Sequence, residues 1–273
     1  MKSYRENLIK AGRCFYGMGV AAIGIQQFIY ADFRPVIMPP GWPTWIHGAA
    51  LAYIVGAALA AAGAFIIFGK NIKTISLLLA AFFLILFLAF QFPYTMFIQP
   101  NLPRHLGLWT NPLKEVAFSG GAFVMAASVP GRKSNEEKEF YAQERLMTAG
   151  RIFFSIMLIA FGIDHFYYTV FVATLVPSWI PGHIFWTYFG AVCLIGSGVA
   201  IIFRIFITPI AILLGTMLFL WLVILHIPRA IADPYIAQGN EITSVFEALA
   251  FSGIAFVIAG VEKNKTNRIE KDQ

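Results

Sequence analysis

Apolar residues fall into eight stretches along the chain, at about 12–31, 47–69, 74–98, 112–130, 150–172, 184–203, 206–228 and 243–261. Each is near the roughly 20 residues that a helix needs to cross a hydrocarbon core. Backbone polar groups in lipid must be satisfied within their own segment, so the stretches predict helices rather than strands. Gly17, Gly19, Gly24, Gly56, Gly63 and Gly120-Gly121 lie inside them and mark close helix contacts.

The pattern is written twice. Ala11-Gly12-Arg13 recurs as Ala149-Gly150-Arg151, and Gly24, Phe28, Tyr30, Phe33, Pro39 and Pro43 answer to Gly162, Phe166, Tyr168, Phe171, Pro177 and Pro181. After a short length difference the register resumes, with Tyr53 against Tyr188, Gly63 against Gly198 and Pro93 against Pro228. Ala117-Phe118-Ser119-Gly120 closes the first copy as Ala250-Phe251-Ser252-Gly253 closes the second. A repeat this long is one folded unit duplicated, not a solenoid period. The expectation is an all-α polytopic membrane protein with eight transmembrane helices, arranged as two parallel-repeat four-helix bundles. Its parts are a first repeat at 1–130, a charged cytoplasmic linker at 131–148, a second repeat at 149–262 and a polar tail at 263–273. The first apolar run follows Lys2, Arg5, Lys10 and Arg13 but ends at Tyr30-Ala31-Asp32 without a small-x-small cleavage site. It also matches the fifth run, so it reads as a retained helix.

Composition agrees. Hydrophobic residues make up 59% of the chain and charged ones 12%, far from the balance of a soluble domain. The net charge of +6 reflects placement: of the 20 Lys and Arg residues, only Arg34, Arg104, Lys114 and Arg229 fall in segments on the outer side. That bias places both termini in the cytoplasm. An even number of spans in each half then points the two copies the same way, with a pseudo-twofold axis along the membrane normal. No basic stripe interleaved with aromatics exists, which excludes nucleic acid as a partner. Cys14 and Cys193 are far apart and form no Cys-x-x-Cys, so both read as packing residues.

Chemistry is expected where polar residues enter the spans. All five histidines, His47, His105, His165, His183 and His226, fall toward the outer side. At 1.5 Å rise per residue, His165 is about 21 Å along its helix from Arg151, and His226 about 30 Å from Phe206. Glu247 is about 24 Å from Lys263, at a depth similar to His165. An ionisable residue inside a span is costly and therefore a functional candidate. His165, Glu247 and His226 are expected to form the catalytic group of an outward-facing pocket in the second repeat. Asp164 adjoins His165 but points about 100° away around the helix. In the first repeat, Gln27 and Gln91 stand where the second has His165 and His226, and Lys114 stands where it has Glu247, with Glu115 beside it. The glutamines keep hydrogen bonding and lose the titratable ring. No His-x-x-x-His or His-x-x-Glu spacing fixes two metal ligands on one helix face, so no metal site is expected. The loops holding Trp42, Trp45, Trp179 and His183 join the first two spans of each half, as interface anchors or as a lid over the pocket. Arg229, after Pro228, is placed to hold an anionic group.

Gly162-Ile163-Asp164-His165-Phe166, Val176-Pro177-Ser178-Trp179-Ile180-Pro181 and Tyr188-Phe189-Gly190 resemble the opening of a DoxX-like membrane domain. Phe92-Pro93-Tyr94 and Leu113-Lys114-Glu115-Val116-Ala117-Phe118-Ser119-Gly120-Gly121 are similar to its third and fourth helices. The resemblance covers about 11–130 and 149–261 as a tandem pair. It implies a helical bundle in a bacterial inner membrane, and some members of the wider group, the DoxD type, are subunits of a thiosulfate:quinone oxidoreductase. A quinone is accordingly the first cofactor candidate and a haem the second. Asp164, Trp179, His183, Tyr188 and Arg229 are the expected ligand-binding residues. The leading functional expectation is a quinone-linked redox component that works in the lipid bilayer with a redox partner protein. Two other readings stand beside it: a non-enzymatic binder or transporter of a small molecule, and a membrane scaffold subunit for a redox partner.

Overall fold

In the computed structural model, residues 2–46, 48–98, 105–130, 136–235 and 239–261 are described. All of their regular structure is helical. The helices are α1 (Lys2–Tyr30), α2 (Ala49–Ile67), α3 (Ile72–Leu86), α4 (Thr110–Ala127), α5 (Glu136–Tyr167), α6 (Thr169–Leu175), α7 (His183–Phe203), α8 (Ile207–Trp221), α9 (Ile227–Ala232) and α10 (Asn240–Val261). Two π turns, Phe87–Gln91 and Tyr94–Ile98, carry α3 outward, and a third, Leu222–His226, joins α8 to α9. Among the described residues, seven helical segments are long and apolar enough to cross a membrane, which makes this a multi-pass helical protein of the lipid bilayer. The fourth of the eight expected spans, α4, is not among them. Its first turns carry Asn111, Pro112, Lys114 and Glu115.

Packing explains that composition. α4 and α10 form the centre: 72% of the apolar window of α10 is buried, against 28% in α2 and in the span that begins with α8. A helix surrounded by protein has no need to be apolar on every face, whereas α2 and α8 present Ile54 and Leu213 outward. The heaviest packing joins opposite ends of the chain. α1 lies against α10 and α2, α4 against α5 and α3, α5 against α7, and α8 against α10. Phe118 of α4 meets Phe251 of α10 with ring centroids 5.2 Å apart. Tyr16 packs on Phe118 and donates a hydrogen bond to its carbonyl at 2.7 Å, and Phe154 packs on Phe251 from the other side.

The same devices occur at aligned positions. A Cβ on Gly12 would collide with the carbonyl of Gly253, and one on Gly150 with that of Gly120. Ser119 Oγ donates to Ala80 O at 2.9 Å, and Ser252 Oγ to Gly215 O at 2.8 Å. The tight inner turns use left-handed residues at matching places, Gly69 and Asn71 (φ 74° and 49°) and Arg204 and Phe206 (φ 60° and 43°).

Two segments next to the fifth apolar stretch take a definite form. The charged segment before the fifth apolar stretch is helical from Glu136 and continuous with α5. There Glu139 pairs with Lys73 and Glu144 with Arg204, so this extension ties the start of α3 to the turn between α7 and α8. The expected stretch 150–172 breaks at Tyr168, whose φ of −113° and ψ of 34° separate α5 from α6. The tail at 263–273 lies outside the described residues, as does His47.

Candidate functional site

One end of the central helices, called outer because the charge bias of the loops predicts that side, gathers charges that the composition of the spans leaves scarce. Lys114 Nζ lies 2.6 Å from Glu247 Oε2, with the two side chains only 11% and 4% exposed. Each charge would be very costly there alone, so the pair is held by mutual need. Arg34, fully buried in the loop after α1, lies over the Tyr30 ring at 4.2 Å and donates to Thr243 Oγ1 at 3.3 Å. Burial pulls its guanidinium down from the ordinary value, while Tyr30, Asp32 and Glu247 favour the charged form. Thr243 in turn donates to Gln26 Oε1 at 2.6 Å, linking α10 to α1. Arg229 holds Glu241 in a two-pronged contact, Nε to Oε2 at 3.0 Å and Nη2 to Oε1 at 2.6 Å. His226 stands in the field of Lys114, Glu241 and Arg229. Cations and carboxylates therefore alternate across the outer ends of α10, α4 and α9.

Several buried atoms in this region have no hydrogen-bond partner among the described residues. They are Glu247 Oε1, His226 Nδ1, Gln26 Nε2, both Gln27 amide atoms and both Glu115 carboxyl oxygens. A buried polar atom left unsatisfied costs about 1–3 kcal/mol, more when charged, so such a concentration is unusual for a purely structural core. It supplies both donors and acceptors to whatever enters.

The π turns place one of these residues, His226, and its aligned counterpart Gln91. Pro93 and Pro228 lack the N–H that would close the preceding helical turn, and the chain widens into a π turn just before each. Gln91 and His226 are the last residues of those turns. Gln91 donates its Nε2 hydrogen to Pro35 O at 2.8 Å. His226 Nδ1 has no such partner.

The residues expected to form the site fall into three groups. Glu247, His226 and Arg229 belong to the charged network, brought together through Lys114 and Glu241. His165 donates Nδ1–H to the carbonyl of Phe161 at 2.7 Å and lies parallel to the Trp221 ring at 6.4 Å. Asp164, beside it, faces the field of His105, whose ring stacks on Tyr168 at 5.2 Å. The third group lies at the periphery. Trp179 is 70% exposed, and Tyr188 stacks on Phe166 at 5.5 Å. His183 starts α7 and, with Ala173, Thr174, Gly182 and Ile184, lines a cavity of about 440 Å³. Among the described residues no three His, Cys, Asp or Glu side chains gather as a metal-ion group.

Sequence reasoning passed over Arg34, Thr243, Glu241 and Gln26, and took Lys114 only as the counterpart of Glu247 rather than its partner. A signal for them existed. Arg34, Lys114 and Arg229 are three of the four basic residues that break the charge bias of the loops, and all three are spent on buried or half-buried contacts in this network.

No family model matches the chain, and the searches of curated proteins and of solved structures returned no match either.

Proposed function

We propose that this protein is a quinone-linked component of a redox system, which takes the head group of a lipid-soluble quinone at the Lys114–Glu247–His226 network and handles its protons near the outer face. The observation that carries the reading is a buried ion pair flanked by an unpartnered carboxylate oxygen, Glu247 Oε1, and an unpartnered imidazole nitrogen, His226 Nδ1. The donor set suits this class of molecule. Lys114 and His226 offer N–H groups to quinone carbonyls, and Glu247 Oε1 accepts from a quinol hydroxyl. When quinol is oxidised, Glu247 and His226 take its two protons, and its two electrons pass to a redox partner protein.

The finer architecture belongs to the same reading. Eight crossing helices form two parallel copies of a DoxX-like unit in a bacterial inner membrane, with both termini cytoplasmic. The aligned glycine, serine and left-handed positions support the duplication. The copies are interlocked, since the first helix of each packs against the last helix of the other.

One observation favours a second reading, a carrier that couples a small molecule to protons: Glu115 is fully buried and, among the described residues, neither of its carboxyl oxygens has a hydrogen-bond partner. Mass spectrometry of the organic extract from gently solubilised protein separates the two. A quinone at about one per chain, lost in Glu247→Gln and His226→Gln, supports the first. An extract of bulk lipid alone overturns it and directs attention to proton-driven uptake in proteoliposomes.

A further inference from the structure

Gly19 of α1 has no room for a Cβ against the carbonyl of Phe246, so α1 and α10 run backbone against backbone. Two helical turns further along α1, that contact brings Gln26 to Thr243. Thr243 Oγ1 accepts a hydrogen bond from Arg34 Nε and donates its own to Gln26 Oε1. The amide is thereby fixed with its oxygen engaged and its Nε2 turned away. That nitrogen is buried and, among the described residues, has no acceptor. Glu247 lies one turn along α10 from Thr243, on the same face, and within reach of the Arg34 charge. Lys114 sits against its Oε2, so the group is a carboxylate whose Oε1 can only accept. Around the Thr243 hydroxyl there is thus one buried donor from the first half of the chain and one buried acceptor from the second.

We propose that Gln26 completes the ligand site and that the oxygen held between Gln26 Nε2 and Glu247 Oε1 is a hydroxyl, so that the site takes a quinol in preference to the corresponding quinone. A hydroxyl oxygen accepts from the amide while its proton goes to the carboxylate, which satisfies both groups at once. A quinone carbonyl meets the amide but has nothing to give Glu247, whose lone pairs then face its own. An ether fails for the same reason. The bond to the carboxylate is charge-assisted and the stronger of the two. A buried site built around a ligand hydroxyl rejects the analogue without one, because its own polar groups are left unpaired. Preference for the quinol rests on the quinone reading of the Lys114–Glu247–His226 network, and adds which redox form binds and what the first half contributes. Thr243 has a positioning role: it holds the amide in the orientation that presents Nε2.

Equilibrium binding to the full chain in lipid nanodiscs, against empty nanodiscs and under argon, compares decylhydroquinone with its quinone, its dimethyl ether and 4-decylphenol. The hydroquinone is expected to bind at about one per chain and at least about tenfold more tightly than the quinone or the ether. That comparison on the parent protein needs no variant. Gln26→Leu should weaken hydroquinone binding about tenfold. Thr243→Val breaks the same Gln26–Thr243 bond but keeps the amide, and should weaken it about threefold or less. A merely structural role for Gln26 would make the two variants alike. That result, or a quinone bound as tightly as the hydroquinone, overturns the proposal while leaving a quinone site standing. Saturable binding of 4-decylphenol, lost in Gln26→Leu, with no binding of hydroquinone or quinone would keep the hydroxyl site and remove the quinone. No saturable binding of any probe overturns both.

Discussion

Lys114 of α4 and Glu247 of α10 occupy aligned positions in the two halves of the chain, yet they are each other's partner, 2.6 Å apart between the innermost helices. The substitution of a cation for an anion at one aligned position thus turns a like-charge clash into a buried bond. Removing one member leaves the other charge stranded. Lys114→Met or Glu247→Met is expected to cost about 3–5 kcal/mol of stability, whereas the double variant, with two methionines meeting at the same place, should recover most of that loss. Thermal unfolding in one detergent for all three variants checks it, and a double variant no better than the singles would show that the pair does not act as a unit.

Glu115 is one residue further along α4 and behaves differently. It is as buried as Glu247, and among the described residues neither of its carboxyl oxygens has a hydrogen-bond partner or a paired cation, so nothing there is stranded when its charge is removed. Glu115→Gln keeps the shape and should stay within about 1 kcal/mol of the parent protein, while Glu247→Gln, which leaves Lys114 buried without a counter-charge, should lose several times more. The same melting series compares them directly. Equal losses would mean that Glu115 is ionised and has an essential cationic partner.

Most of the spans were legible because lipid exposure demands apolar residues over a fixed length. Two things were not legible. Hydropathy records burial without saying whether lipid or protein does the burying, so the sequence could not tell that α4, with its polar first turns, is sheltered by α3, α5 and α10. Periodicity also names no partner. The match of α1 with α10 is set by Gly12 meeting Gly253, and equally well-spaced glycines at 17 and 24 meet α2 instead. Among the site residues, Glu247 and His226 stood out because charge is rare inside a span. Arg34 did not, since a loop arginine ordinarily points to water and this one is turned inward by Tyr30 and Thr243.

The inner ion pairs offer a contrast in magnitude. Arg204 and Glu144 are 2.6 Å apart, as close as Lys114 and Glu247, but both are over 40% exposed. Water screens such a pair and competes for both ends, so Glu144→Gln should cost at most about 1 kcal/mol, and that small effect should shrink further in high salt. A loss comparable to that of Glu247→Met, measured by the same unfolding assay, would mean that the extension of α5 is an obligatory strut.

The closest approach between the two halves gives the last test. Gly12 lies against the backbone of Gly253, and Gly150 against that of Gly120, so α1 and α10 touch as intimately as α5 and α4. Any side chain there must push two backbones apart, and helix association in lipid depends on such packing because no hydrophobic force draws the helices together. Gly12→Leu and Gly150→Leu are each expected to destabilise the protein by about 1–3 kcal/mol or more. Gly196, with open space around it, provides the control: Gly196→Leu should lie within about 1 kcal/mol of the parent, most of that from helix propensity in its favour. If Gly12→Leu melts with the parent while Gly150→Leu does not, the two seams are unequal, and the joint between α4 and α5 alone holds the halves together.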